Sequence, residues 1–152
     1  MTKPFYLERV VAMNMLGIIS TSELPKMATN AISNGCNDYS VNQLSKCDPR
    51  DLKKINLLFN EIKSQHKKEA MTMLQALKFY AKEISKLIIS GEISPQEGAN
   101  MLWRAQISSE LDEFHDLDGF IYAASEMDDR PEDEAIFKSG ILKEAQRVID
   151  TY

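Results

Sequence analysis

Helix starts and stops recur along this chain so closely that little but short helices fits between them. Six glycines and five prolines are few for 152 residues, and each falls where a helix is expected to begin or end. Pro4 suits the first position of an opening helix, with Phe5, Tyr6, Val10, Met13 and Ile18 facing inward and Gly17 closing it. Ser20 and Glu23 have capping-box spacing, Pro25 fits the first turn that follows, and Gly35 offers a left-handed stop. Ser40-x-x-Gln43 opens a short third helix holding Val41 and Leu44, and Asp48-Pro49-x-Asp51 opens a fourth. That fourth helix carries a stripe of Leu52, Ile55, Leu58, Phe59 and Ile62, and the polar stretch Lys63 to Glu69 contains the next join.

The longest amphipathic pattern follows, with Met71, Leu74, Leu77, Ala81, Ile84, Leu87 and Ile88 ahead of Gly91. Ser94-Pro95-Gln96-Glu97 then combines a cap, a first-position proline and a capping-box acid, with Ala99, Leu102, Trp103 and Ile107 inward. Leu111, Phe114, Leu117, Ile121 and Ala124 mark a seventh helix. Pro131 opens an eighth, with Phe137, Ile141, Ala145 and Val148 inward. No segment alternates with period two, and β-branched residues do not cluster between turns. The expected fold is all-α, a single globular domain of about eight helices spanning 1–152, with 1–65 and 66–152 as its front and rear halves. The apolar content of 43% supports a packed core, in which Trp103 and the eight methionines find their places.

One pattern occurs twice. Gly17-Ile18-Ile19-Ser20-Thr21-Ser22-Glu23 and Gly91-Glu92-Ile93-Ser94-Pro95-Gln96-Glu97 share G-x-I-S-x-x-E, and Met27 and Ala31 match Met101 and Ala105 in the same register. Two related helical halves and ordinary helix-turn-helix grammar both produce such a match.

The charges are sorted. From Ser108 to Glu134 there are eleven acidic residues against Arg130 alone, a local net charge of about −10, whereas the rest of the chain is positive by about five. Glu110, Asp112, Glu113, Asp116 and Asp118 are expected around the seventh helix, and Asp128, Asp129, Glu132, Asp133 and Glu134 around the start of the eighth. First-turn acids complement a helix dipole, and a charge run is commonly a solvated face. The competing reading is a docking face for a basic partner, steered by opposite potential, with Phe120 or Tyr122 as its desolvated anchor.

Other chemistries find little support. Asp112-x-x-His115 with Asp116 offers three possible ligands on one helical side, but a di-iron bundle needs a second such motif and more acids. His66 sits in a lysine-rich join and His115 among acids. No glycine-rich phosphate loop or G-x-S-x-G elbow is present. Cys36 and Cys47 have neither metal-ligand nor redox spacing and read as buried thiols in a reducing compartment. No catalytic residue, metal or cofactor is expected. Ten basic residues between Lys46 and Lys86 include only one arginine, Arg50, which argues against a nucleic-acid reader, although these lysines suit weak attraction to the acidic face of another copy. Glu8 and Asn14 interrupt the apolar run near the start, and no small-x-small cleavage site follows it. The run is also too short to span a bilayer. The chain is therefore expected in the cytoplasm, with no membrane partner.

Leu16-Gly17-Ile18-Ile19-Ser20 with Glu23-Leu24-Pro25 resembles the front of small uncharacterised helical bacterial proteins. The rear resembles them in Ile89-Ser90-Gly91-Glu92-Ile93-Ser94-Pro95-Gln96-Glu97-Gly98-Ala99, Phe120-Ile121-Tyr122-Ala123-Ala124-Ser125-Glu126 and Ile141-x-x-Glu144-Ala145. Such proteins look like the immunity proteins of bacterial toxin systems, each of which binds and neutralises one secreted toxin domain. The resemblance implies a binding protein with no catalytic motif to transfer. The corresponding expectation is an immunity protein that occludes a basic toxin, for instance a nuclease, through its acidic residues. The alternative is a non-catalytic helical scaffold that self-associates.

Overall fold

A computed structural model describes residues 7–68 and 70–152, and these are all-α, with eight α-helices, two 3-10 turns and no strand. The expected start at Pro4, the inward Phe5 and Tyr6, and Glu69 lie outside the described residues. The chain divides into two compact units that meet in sequence at Thr72 and Met73, each carrying four helices.

The first unit contains α1 (Leu7–Met15), α2 (Leu24–Ser33), α3 (Tyr39–Ser45) and α4 (Leu52–Gln65). Its core joins Val10 and Val11 to Leu24, Ala28 and Ala31, to Val41 and Leu44, and to Ile55, Phe59 and Ile62. Cys47 is buried in this cluster with a free thiol, and Cys36 packs against it. Two helix starts differ from expectation. Asp38, not Ser40, caps α3 by accepting from the Val41 N–H at 3.2 Å, and Ser40 is buried, donating to Gln65. Asp51, not Asp48, caps α4, because Asp48 spends its carboxylate on the Arg50 backbone and guanidinium. In both cases a second oxygen-bearing side chain two or three residues away competes for the cap.

The second unit contains α5 (Met73–Ser90), α6 (Pro95–Ser109), α7 (Asp118–Asp129) and α8 (Glu134–Thr151). α5 packs on α6 and α8, α6 on α7, and α7 on α8, closing a four-helix ring. Short connections make sequential neighbours antiparallel, as in an up-down bundle. Leu77, Ala81, Ile84 and Ile88 of α5 are buried, as are Ala99 and Leu102 of α6 and the whole Phe137, Ile141, Ala145 and Val148 stripe of α8.

The repeated seven residues adopt the same stop. Gly17 and Gly91 take φ of 72° and 81°, a left-handed conformation that glycine enters without a Cβ penalty. Gly17 N–H donates to Asn14 O at 3.1 Å, and Gly91 N–H to Ile88 O at 3.2 Å. The next two amides, Ile18 and Ile19 in one hinge and Glu92 and Ile93 in the other, return to Met13 O and Leu87 O. The starts then diverge. Glu23 reaches back to the Ser20 N–H at 2.7 Å and a 3-10 turn precedes α2, whereas Ser94 Oγ accepts from Glu97 N–H and α6 begins at once. Beyond each hinge the buried positions coincide: Leu24, Pro25, Ala28 and Ala31 correspond to Gly98, Ala99, Leu102 and Ala105.

Four residues expected to face inward are exposed: Ile18, Leu52, Leu74 and Ile107. Each lies in a hinge or in the terminal turn of a helix. Met127 is buried, while Trp103 and six other methionines are half-buried at core edges. Gly140, expected at a helix boundary, lies in the middle of α8, whereas Gly98 and Gly119 fall in the first turns of α6 and α7. Gly98 is there for space, since a Cβ would collide with the Ile88 side chain and approach Ile93 Cδ1 at 3.2 Å. Gly98→Ala should therefore destabilise the protein by about 1–3 kcal/mol despite alanine's higher helix propensity, read as a lower urea midpoint with an unchanged m-value.

Candidate functional site: the acidic ends of α7

The segment expected to begin a seventh helix at Leu111 is not helical. α6 ends at Ser109, and Glu110 adopts a left-handed φ of 56°, uncommon for a residue with a side chain. Side chains then take up the backbone groups that a helix would have paired. Ser109 Oγ accepts from the Leu111 N–H at 3.2 Å, and Gln106 Nε2 donates to the Leu111 carbonyl at 2.8 Å. Two tight turns, Phe114 N–H to Leu111 O and Asp118 N–H to His115 O, deliver the fully buried Leu117 and start α7 at Asp118. The 111–114–117–121 spacing resembles a helical stripe because each turn closes every three residues.

Asp116 anchors this segment to the end of α8. The Arg147 Nη2 donates to its carbonyl at 2.7 Å and Nη1 lies 3.5 Å from its carboxylate, while Arg147 also holds Glu144 at 2.8 Å. The Tyr152 hydroxyl donates to the same carboxylate at 2.5 Å. That hydrogen bond, with the Arg147 charge behind it, keeps the Asp116 carboxyl below its ordinary value of 3.8. Burial, and then the same carboxylate, push the Tyr152 phenol well above its usual range, so it stays a donor. Lys78 of α5 lies over the Phe114 ring at 5.9 Å and the Tyr152 ring at 5.4 Å, and Lys82 donates to the Tyr152 carbonyl at 2.7 Å. These two lysines are thus committed to the same corner.

At the opposite end of α7, about 18 Å away along the helix, Arg130 bonds Glu126 at 2.7 Å, lies 4.0 Å from Asp133 and stacks over Phe137 at 5.1 Å. Asp128 accepts from Gln96 at 3.1 Å, and Glu134 pairs with Lys138 at 3.2 Å within α8. The acidic tract is therefore two groups. Glu110, Asp112, Glu113, Asp116 and Asp118 gather before and at the start of α7; Asp128, Asp129 and Glu132 gather at and just past its end. Within the first group Asp118 pairs with His115 at 3.1 Å. Glu110, Asp112, Glu113, Asp129 and Glu132 are exposed and make no ion pair among the described residues.

Of the two expected anchors, Phe120 is 0% exposed and offers nothing to a partner: it faces the bundle because Leu117, Phe120 and Ala124 form the inner side of α7. Tyr122 is 59% exposed, its ring edge-on to Phe137 at 6.2 Å. It lines a groove of about 560 Å³ between α7 and α8, together with Ile136 and Gly140. Ile136, 68% exposed, was invisible as a surface residue until the α8 stripe fixed which side turns inward.

Asp112, His115 and Asp116 lie in the turn segment rather than on one helical side, and two of the three are engaged elsewhere. Among the described residues no three His, Cys, Asp or Glu side chains are placed to hold a metal ion. His66 lies 3.6 Å from Asp38 on the first unit. No described helix is long and apolar enough to cross a membrane. No family model, curated protein or solved structure matches the chain.

Because the folded Asp116 value is depressed, its stabilising effect is complete above the ordinary carboxylate value and is lost as pH falls through the lower, folded one. Tyr152→Phe should raise the Asp116 pKa toward 3.8, measured by NMR titration of its side-chain carboxyl, and should move the acid-unfolding midpoint to higher pH.

Proposed function

We propose that this chain is a non-catalytic binding protein, acting in the cytoplasm in the manner of an immunity protein, and that it occludes a basic protein such as a toxin domain. The observation carrying this reading is the α6–α7 segment, which presents Glu110, Asp112 and Glu113 exposed, with no ion pair among the described residues, on a backbone tied down at Leu111 and Asp116. Carboxylates on a fixed segment meet a cationic surface without first ordering a loop, and their field raises the encounter rate. Neutralised acids such as Asp116, by contrast, serve the fold. Both histidines sit beside a carboxylate on the surface, an arrangement suited to ion pairing.

Glu110→Gln, Asp112→Asn and Glu113→Gln together should leave the helical circular-dichroism signal unchanged and remove the partner. The assay is capture from source-cell lysate at low and high salt, with the wild-type and triple-variant chains side by side. The expected result is one basic protein held by the wild type at low salt, released at high salt and missing from the variant. Co-expression of the chain should then relieve that protein's toxicity. Equal capture by both chains would remove these three acids from the binding surface.

A further inference from the structure

The outer face of α8 carries a second pattern. Asp133, just before the helix, and Ile136, Gly140 and Lys143 within it follow 3-4-3 spacing and so form one stripe. Ile136 is a large apolar side chain left in water, with Tyr122 across the groove from it. Gly140 has no internal justification. A Cβ there would meet nothing within 4 Å, its φ is not left-handed, and a mid-helix glycine is less stable than alanine. The stripe therefore presents a knob at Ile136 and a hollow at Gly140. It also ends in opposite charges, Asp133 near one end and Lys143, which makes no ion pair among the described residues, toward the other.

These four positions are symmetric about one point. Ile136 and Gly140 are equidistant from residue 138, and so are Asp133 and Lys143. We propose that the α7–α8 groove is an interface between two copies of this chain, with the α8 helices antiparallel about a two-fold axis at the level of Lys138. In that arrangement Ile136 of each copy fills the hollow at Gly140 of the other, and Lys143 of each meets Asp133 of the other. An isologous contact needs a patch complementary to itself, which this stripe supplies in both shape and charge. A foreign helix would have to reproduce the same mirrored set. The interface is distinct from Glu110, Asp112 and Glu113, none of which lines the groove.

The test is sedimentation of the full chain at low salt, from low micromolar to millimolar concentration. The wild type should shift from monomer to dimer. Lys143→Glu and Asp133→Lys each place like charges at both contacts and should weaken dimerisation by about tenfold or more. Mixed in equal amounts, the two variants should recover the dimer, because both contacts are then of opposite sign. Gly140→Leu fills the hollow and should abolish the dimer while the helical signal and melting temperature are kept; Gly140→Ala, which meets no atom in the chain, is the conservative check. A wild type that stays monomeric at millimolar concentration overturns the proposal and leaves the groove to a foreign segment. So does a dimer that Gly140→Leu leaves intact, or a variant mixture no more associated than its components.

Discussion

Burial of the Phe137, Ile141, Ala145 and Val148 stripe fixes the rotation of α8, and most of what the second unit offers to its surroundings follows from that rotation. A helix has one angular degree of freedom about its axis, and an apolar stripe packed against two neighbours removes it. With those four residues inward, Arg147 necessarily turns toward the α6–α7 segment and seizes the Asp116 carbonyl. Ile136, Gly140 and Lys143 necessarily turn outward. The hydrophobic term thus decides the geometry, and the ionic contacts, exposed and individually weak, use what it leaves.

The acids of the tract divide into those that hold the fold and those that do not. Asp116 is taken by Arg147, Glu126 and Asp133 by Arg130, Glu134 by Lys138, Asp128 by Gln96, and Asp118 by His115. Glu110, Asp112, Glu113, Asp129 and Glu132 have no ion pair among the described residues. The repulsion within each group costs little in water at physiological salt. A surface that tolerates such an imbalance is suited to contact with cations from outside, and the rigid carbonyl anchors at Leu111 and Asp116 keep the first of the two groups in place.

The two hinges show how far local chemistry reaches. G-x-I-S-x-x-E produces the same three backbone hydrogen bonds at Gly17 and Gly91, because a left-handed glycine leaves the next amides only the carbonyls of the last helical turn. The four buried positions beyond each hinge match as well. Each hinge joins the first two helices of a four-helix unit, so the match extends from local grammar to position within a unit.

Helix number, the glycine stops, the cap at Ser94 and the inner stripe of α8 were all readable from spacing, since each is settled within a few residues. The failures were of two kinds. Between cap candidates two or three residues apart the cap went to the side chain that the local geometry favoured, as at Asp38 and Asp51. From Leu111 to Leu117 a three-residue turn repeat imitated a helical stripe, and only the anchors from Ser109, Gln106 and Arg147 distinguish them. Phe120 and Tyr122, two residues apart on one helix, could not be sorted into core and surface from sequence alone. Local hydrogen bonding and apolar period are written in neighbouring residues, so the chain declares its helices; which carboxylates stay free, and which apolar side chains meet water, depends on partners dozens of residues away and is settled only when the bundle closes.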